Sequence, residues 1–236
     1  MTSDNPSQRV QSLMQRAVLA QQRGDFATAE AGYREVLHAV PEHADATHFL
    51  GLLAHQTGHW QFALDLLHRS IRLGPGSPLY QCNLAGALRE QGRPGEAEIH
   101  YREAISLKPG YVDALIGLVM SQAVRNRFEE ALTNYREVLS IDKENFEAQM
   151  GCGASLFELT RYSEAMACYG EIHVLVAHDA EKLQRLGLAL REAGEADEAK
   201  SCFMQALSLR PDFAEAHNSF GIALADLGEF SAAETH

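Results

Sequence analysis

The sequence predicts an all-α solenoid, a stack of helical hairpins made by repeating one unit, and three observations carry that prediction. An alanine recurs every 34 residues, at Ala29, Ala63, Ala97, Ala131, Ala165, Ala199 and Ala233, with no insertion or deletion between copies. Four residues after it comes a large side chain: Tyr33, Leu67, Tyr101, Tyr135, Tyr169 and Phe203. Small residues return at the same period ahead of each alanine, at Ala17, Gly51, Ala85, Gly153, Gly187 and Gly221, with Val119 the one larger member. Small residues against small residues let two helices approach closely, and the large side chain then fills the gap to the next hairpin.

Residues 78–111 show the unit most plainly. Leu84, Ala85 and Leu88 lie along one helical stripe, and Ala97, Tyr101 and Ala104 along a second, with Gly92 between them. Gly92 can take the left-handed conformation that ends the first helix, Pro94 suits the opening turn of the second, and Pro109 stops it. One such hairpin cannot bury both apolar faces, so it needs neighbours.

Taken in order, residues 1–9 are polar and predict a flexible N-terminal tail before an array over 10–236. Repeat one (10–43) carries Arg16 where later repeats have a buried Leu or similar residue, which suits an outer face that meets water. Repeats two (44–77) and three (78–111) are regular, with the only tryptophan, Trp60, placed in an inter-helix turn. Repeat four (112–145) has Asn126 for the turn glycine and Lys143 for the closing proline. Repeat five (146–179) has Thr160 at the turn, where a β-branched residue resists positive φ, and Ala177 for the proline, which predicts a soft point. Repeat six (180–213) returns to the pattern. The incomplete repeat seven (214–236) stops early in its second helix, so the chain reads as a piece of something longer in which Phe220 and Leu224 stay uncovered.

Composition narrows the function. A formal net charge of −12 argues against nucleic acid, whose phosphates require clustered Lys and Arg. The start MTSDNPSQRV lacks a secretory pattern, and the run Leu115 to Met120 is too short to span a bilayer, so membrane insertion is not expected. Cys168 and Cys202 occupy equivalent points of consecutive repeats, which places their helices at least ~8–10 Å apart, too far for a disulfide. A reducing, cytoplasmic setting follows. No arrangement of nucleophile and base is visible, and His55 with His59, although four apart, straddles a helix end at Gly58. We expect no catalytic residue, no cofactor and no metal site in this chain.

The period, the alanine and the aromatic after it resemble the tetratricopeptide repeat over residues 10–236. Leu50-Gly51 and Leu186-Gly187 match its Leu-Gly pair, and Pro41, Pro75, Pro109 and Pro211 its closing proline, while the Trp that often opens the motif is absent from every repeat. The resemblance, which extends to bacterial members and to the uninterrupted arrays of O-linked N-acetylglucosamine transferases, implies a right-handed superhelical solenoid of helix-turn-helix units. It also implies a concave groove built by the exposed side of each first helix.

On that side the ninth residue of each repeat is Val18, Leu52, Gly86, Met120, Ala154, Leu188 or Ile222, with no polar member. With Ile116, Met150 and Phe157 these form an apolar strip, in which Gly117 and Gly151 would leave room for a ligand side chain. Acids flank it, among them Glu90, Glu158, Glu192 and Asp226, and the cations there are few: Arg89, Arg185 and Arg191. The asparagine ladder of the transferase arrays survives only as Asn83, and the lysines with which chaperone-tail clamps hold acidic peptides are missing. The candidate peptide-binding groove is therefore Ile116, Met120, Met150, Phe157, Asn83, Leu52, Arg89, Glu158, Leu188 and Glu192. The expected function is a protein–protein interaction scaffold for an apolar peptide or protein segment with basic residues. The alternative is the substrate-recruiting N-terminal array of a larger, glycosyltransferase-like enzyme whose catalytic domain lies beyond residue 236.

Overall fold

The computed structural model describes residues 6–233, and all the regular structure among them is helical. The first helices of the hairpins are α1 (Pro6–Gln22), α3 (Ala44–Gln56), α5 (Pro78–Glu90), α7 (Val112–Val124), α9 (Phe146–Glu158), α11 (Ala180–Glu192) and α13 (Ala214–Asp226). The second helices are α2 (Phe26–Ala39), α4 (Trp60–Leu73), α6 (Pro94–Leu107), α8 (Phe128–Ile141), α10 (Tyr162–Leu175), α12 (Ala196–Leu209) and α14 (Phe230–Ala233).

Two compact units divide after Arg125, so α1–α7 belong to the first and α8–α14 to the second. In the first, each helix packs on the next in the chain, and adjacent first helices touch as α1 with α3, α3 with α5 and α5 with α7. In the second, the same chain-neighbour packing runs from α8 to α14, and α11 touches α13. The periodic alanines lie fully inside: Ala29, Ala63, Ala97, Ala131, Ala165 and Ala199 are all 0% exposed.

The hairpin turns follow from one local rule. Gly92 has φ 73°, its N–H donates to the Arg89 carbonyl at 3.0 Å, and the Arg93 N–H donates to the Leu88 carbonyl at 3.0 Å. These paired bonds satisfy the carbonyls left open where α5 ends. Asn126 (φ 57°) and Thr160 (φ 60°) take the same left-handed conformation without being glycine. Asparagine tolerates it, whereas the branched Cβ of Thr160 is strained there. Between hairpins, His43, Ser77, Asn145 and Asp179 cap α3, α5, α9 and α11 through their side chains. The loop that lacks a proline at Ala177 is tied instead by Gln205, whose Nε2 donates to the Ala177 carbonyl at 3.0 Å.

Several expectations need correction. The first helix begins at Pro6, so residues 6–9 are helical rather than tail; proline's preset φ suits the first helical position, and residues 1–5 lie outside the described ones. Trp60 opens α4 instead of sitting in a turn, with its ring edge against His55 at 4.6 Å between centroids. Phe220 and Leu224 are covered, at 8% and 2% exposure, because α13 packs on α12 as well as on α14. Of the second helix of repeat seven, α14 is described, and residues 234–236 are outside the description.

Candidate functional site

The exposed side of the first helices is best built up one unit at a time. In the first unit, Ile116, Met120 and Val124 follow each other at four-residue steps along α7 and so share one face. Ile116 is half-buried, Met120 is 41% exposed and Val124 71% exposed. Val124 was missed by sequence reasoning, although its spacing from Met120 continues the stripe and its equivalents in other repeats are polar. Leu52 on α3 is half-buried against the core formed by α4, α5, α6 and α7.

Asn83 is half-buried and already engaged, its Nδ2 donating to His48 Nε2 at 2.9 Å. His48 is fully buried, stacked on Tyr80 at 4.5 Å between centroids, with Asp45 accepting a hydrogen bond from the Tyr80 hydroxyl. Burial pushes the His48 imidazole down to about 4, with the nearby Asp45 charge opposing the shift. Arg89 is half-buried beside Tyr101, whose phenol burial pushes up while the hydrogen bond and charge of Arg89 act against that.

The glycines do not do what their sequence suggested. A Cβ on Gly117 would lie 2.2 Å from two ring carbons of Tyr101, and one on Gly151 would lie 2.1 Å from Tyr135 Cζ. Both spaces are filled by the large residue of the preceding second helix, so they hold the stack together and leave no room for a ligand. Space exists instead at Gly86, where the nearest atom to an added Cβ is the Tyr101 hydroxyl at 3.7 Å.

In the second unit, Met150 and Phe157 are half-buried on α9, the Phe157 ring lying edge-on to Tyr162 at 5.1 Å between centroids. Leu188 is half-buried on α11, and Ile222 is 41% exposed on α13. Glu158 and Glu192 are exposed, each the last residue of its helix, as is Asp226. Arg185 is not available to a ligand, because its guanidinium grips Glu147 with bonds of 2.6 and 2.8 Å and lies 4.8 Å over the Phe146 ring. That hydrogen-bonded pairing holds the Glu147 carboxyl below the usual carboxylate range. The ten candidate residues thus fall into Leu52, Asn83, Arg89, Ile116 and Met120 in the first unit, and Met150, Phe157, Glu158, Leu188 and Glu192 in the second.

Away from these, a hollow of about 880 Å³ opens at the first hairpin, between α1, the end of α2 and the start of α3. Leu13, Met14, Val40 and Phe49 supply its apolar lining, and Arg9 at its edge is paired with Glu35 at 2.9 Å. His55 and His59 point to different partners, Glu90 at 3.4 Å and the Thr57 hydroxyl at 3.0 Å. Among the described residues no group of three or more His, Cys, Asp or Glu is placed to hold a metal ion, and no helix is long and apolar enough to cross a membrane.

With fold and surface described, comparison with known proteins defines the class. The model of the tetratricopeptide repeat family matches residues 14–78, 56–112 and 185–236, and the chain belongs to that family. Proteins built from these repeats generally mediate protein–protein interactions. Over 100 residues, 42% of this chain, it is 30% identical to a TPR repeat-containing protein of Pseudomonas aeruginosa, and the match spans only 17% of that relative's length. Among solved structures it resembles a tetratricopeptide repeat protein from Parabacteroides merdae, with a TM-score of 0.78 and 15% identity over 97% of this chain and 90% of that one. It also resembles PilW, a type IV pilus biogenesis factor, with a TM-score of 0.76 and 17% identity over 89% of this chain and 97% of that one. At such identities these two likenesses show the fold.

Proposed function

We propose that this chain is a protein-binding scaffold that holds a peptide or extended protein segment against the exposed side of its first helices. The segment is apolar, with Lys or Arg beside its apolar anchors. The observation that carries this reading is the stripe on α7, where Met120 and Val124 stay 41% and 71% exposed in line with Ile116. Core packing does not require large apolar side chains there, and exposed apolar surface in a row is what an interface uses. The charge preference comes from Glu90 in the first unit and, separately, from Glu158 and Glu192 in the second. The four cysteines are free thiols, which supports a reducing, cytoplasmic setting.

The test is to select peptides from a library on the whole chain and to measure their affinity for variants. Met120→Ala should cost ~1–3 kcal/mol for peptides held by the first unit, and Phe157→Ala as much for peptides held by the second, as anchor truncations do. Ile99→Ala, on the second-helix side at 64% exposure, should leave affinity unchanged. Peptides indifferent to both groove variants would place the binding surface elsewhere.

A further inference from the structure

In the second unit the exposed side of α9, α11 and α13 carries two rows in the same register. The first row is apolar: Ala154, Leu188 and Ile222, of which Ala154 and Ile222 are exposed and Leu188 half-buried. The second is acidic: Glu158, Glu192 and Asp226, all exposed and each the final residue of its helix. Each acid stands four residues beyond the apolar residue of its own helix, one turn further along the same face.

The acids are badly placed for their helices. A carboxylate at a helix C-terminus meets the negative end of the dipole, and here that happens in three successive first helices. Among the described residues none of the three is neutralised by an ion pair, whereas Glu147 on the same side is held by Arg185. Arg191, next to Glu192, is the nearby cation on α11, and it is half-buried. The first unit lacks this row, since the equivalent positions are Gln22, Gln56, Glu90 and Val124, and Glu90 lies 3.4 Å from His55.

Resting on the binding reading above, we infer that this unit takes an extended peptide with Lys or Arg at every third residue, its apolar side chains lying along Ala154, Leu188 and Ile222. The spacing follows from geometry. α11 packs on α13, packed helices stand ~8–10 Å apart, and an extended chain of polyproline II form advances ~3.1 Å per residue with three residues per turn, so three residues carry it about one helix on and bring a side chain back to the same face. Two residues fall short at ~6.2 Å and four overshoot at ~12.4 Å, and neither returns a side chain to the same face. Charge selects the occupant: an acidic peptide would meet Glu158, Glu192 and Asp226 in turn, while a basic one offsets all three.

Synthetic peptides of one composition, with Lys placed every second, every third or every fourth residue among Leu and Ser, are titrated against the full chain by fluorescence anisotropy at low and moderate salt. The every-third peptide should bind about tenfold tighter than the others, a difference of ~1.4 kcal/mol. Glu192→Lys, at an exposed site that leaves helical content unchanged, should remove that advantage, and added salt should shrink it. Equal affinity for all three spacings, with loss of binding in Leu188→Ala, overturns the register and leaves the groove reading standing. Binding that ignores Leu188→Ala and Ile222→Ala, or no binding to any peptide, overturns both.

Discussion

Replacing Gly117 with Ala tests whether the glycines of the first helices are seats for the aromatic side chains. By helix propensity alone, the substitution in the middle of α7 should stabilise the protein by ~1 kcal/mol. The structure reverses the sign. The new Cβ would sit 2.2 Å from Tyr101 Cε1 and Cζ and 2.5 Å from its hydroxyl, where ordinary contact begins near 3.4 Å. Tyr101 is 3% exposed, so its ring has no free direction in which to move by the ångström required. Overpacking of this kind costs ~1–3 kcal/mol, and a net loss of up to ~2 kcal/mol is expected after the propensity gain of ~1 kcal/mol. The internal control is Gly170→Ala within α10, where nothing lies within 4 Å of the added Cβ and a gain of ~0.5–1 kcal/mol should appear. Urea unfolding followed by far-ultraviolet circular dichroism gives both numbers, and a Gly117→Ala/Tyr101→Leu double variant should recover part of the loss. If Gly117→Ala stabilises as much as Gly170→Ala, the ring is not seated on α7 and Gly117 is an open notch after all.

Two further outcomes follow from particular residues. Thr160→Gly should raise stability by ~1 kcal/mol, since it relieves a β-branched residue at φ 60°; an unchanged urea midpoint would mean that the threonine side chain contributes as much as its strain costs. His48 is held neutral, down at about 4 against an ordinary value of 6.5, so the unfolded chain binds its proton first as pH falls. Stability from this site should be complete above about pH 6.5 and decline between there and pH 4, by at most ~3 kcal/mol. His48→Gln, which can still accept from Asn83, should flatten that part of the pH profile, and an unaltered slope would assign it to other groups.

The repeat architecture was legible because the contacts that build it recur at one spacing. Each periodic alanine from Ala29 to Ala199 is buried completely, and a residue that must be small in every hairpin leaves a trace no loop can blur. The α7 stripe was partly legible for the same reason, since Ile116 and Met120 carry on the apolar positions of that face, whereas Val124 stands where every other repeat is polar. What escaped was whatever depends on side chains arriving from another helix. Gly86, Gly117 and Gly151 look alike in sequence, yet Tyr101 and Tyr135 fill the latter two and leave the first open. Arg185 reads as a free cation until Glu147, 38 residues earlier, is seen to hold it. Asn83 reads as a ladder residue until His48 is found 2.9 Å away. At the start of the chain, Pro6 reads equally as a loop residue or as the first residue of a helix, and only the latter is correct.

The most direct test of the central claim is to find where a bound peptide lies. A library-selected peptide carrying a benzophenone in place of one apolar residue is bound to the whole chain, irradiated and mapped by mass spectrometry. The account predicts crosslinks to the first-helix side, at Met120, Met150, Phe157 or Leu188. Crosslinks concentrated instead at Ile99, Val174 or Met204, exposed on second helices at 64%, 78% and 53%, would contradict it.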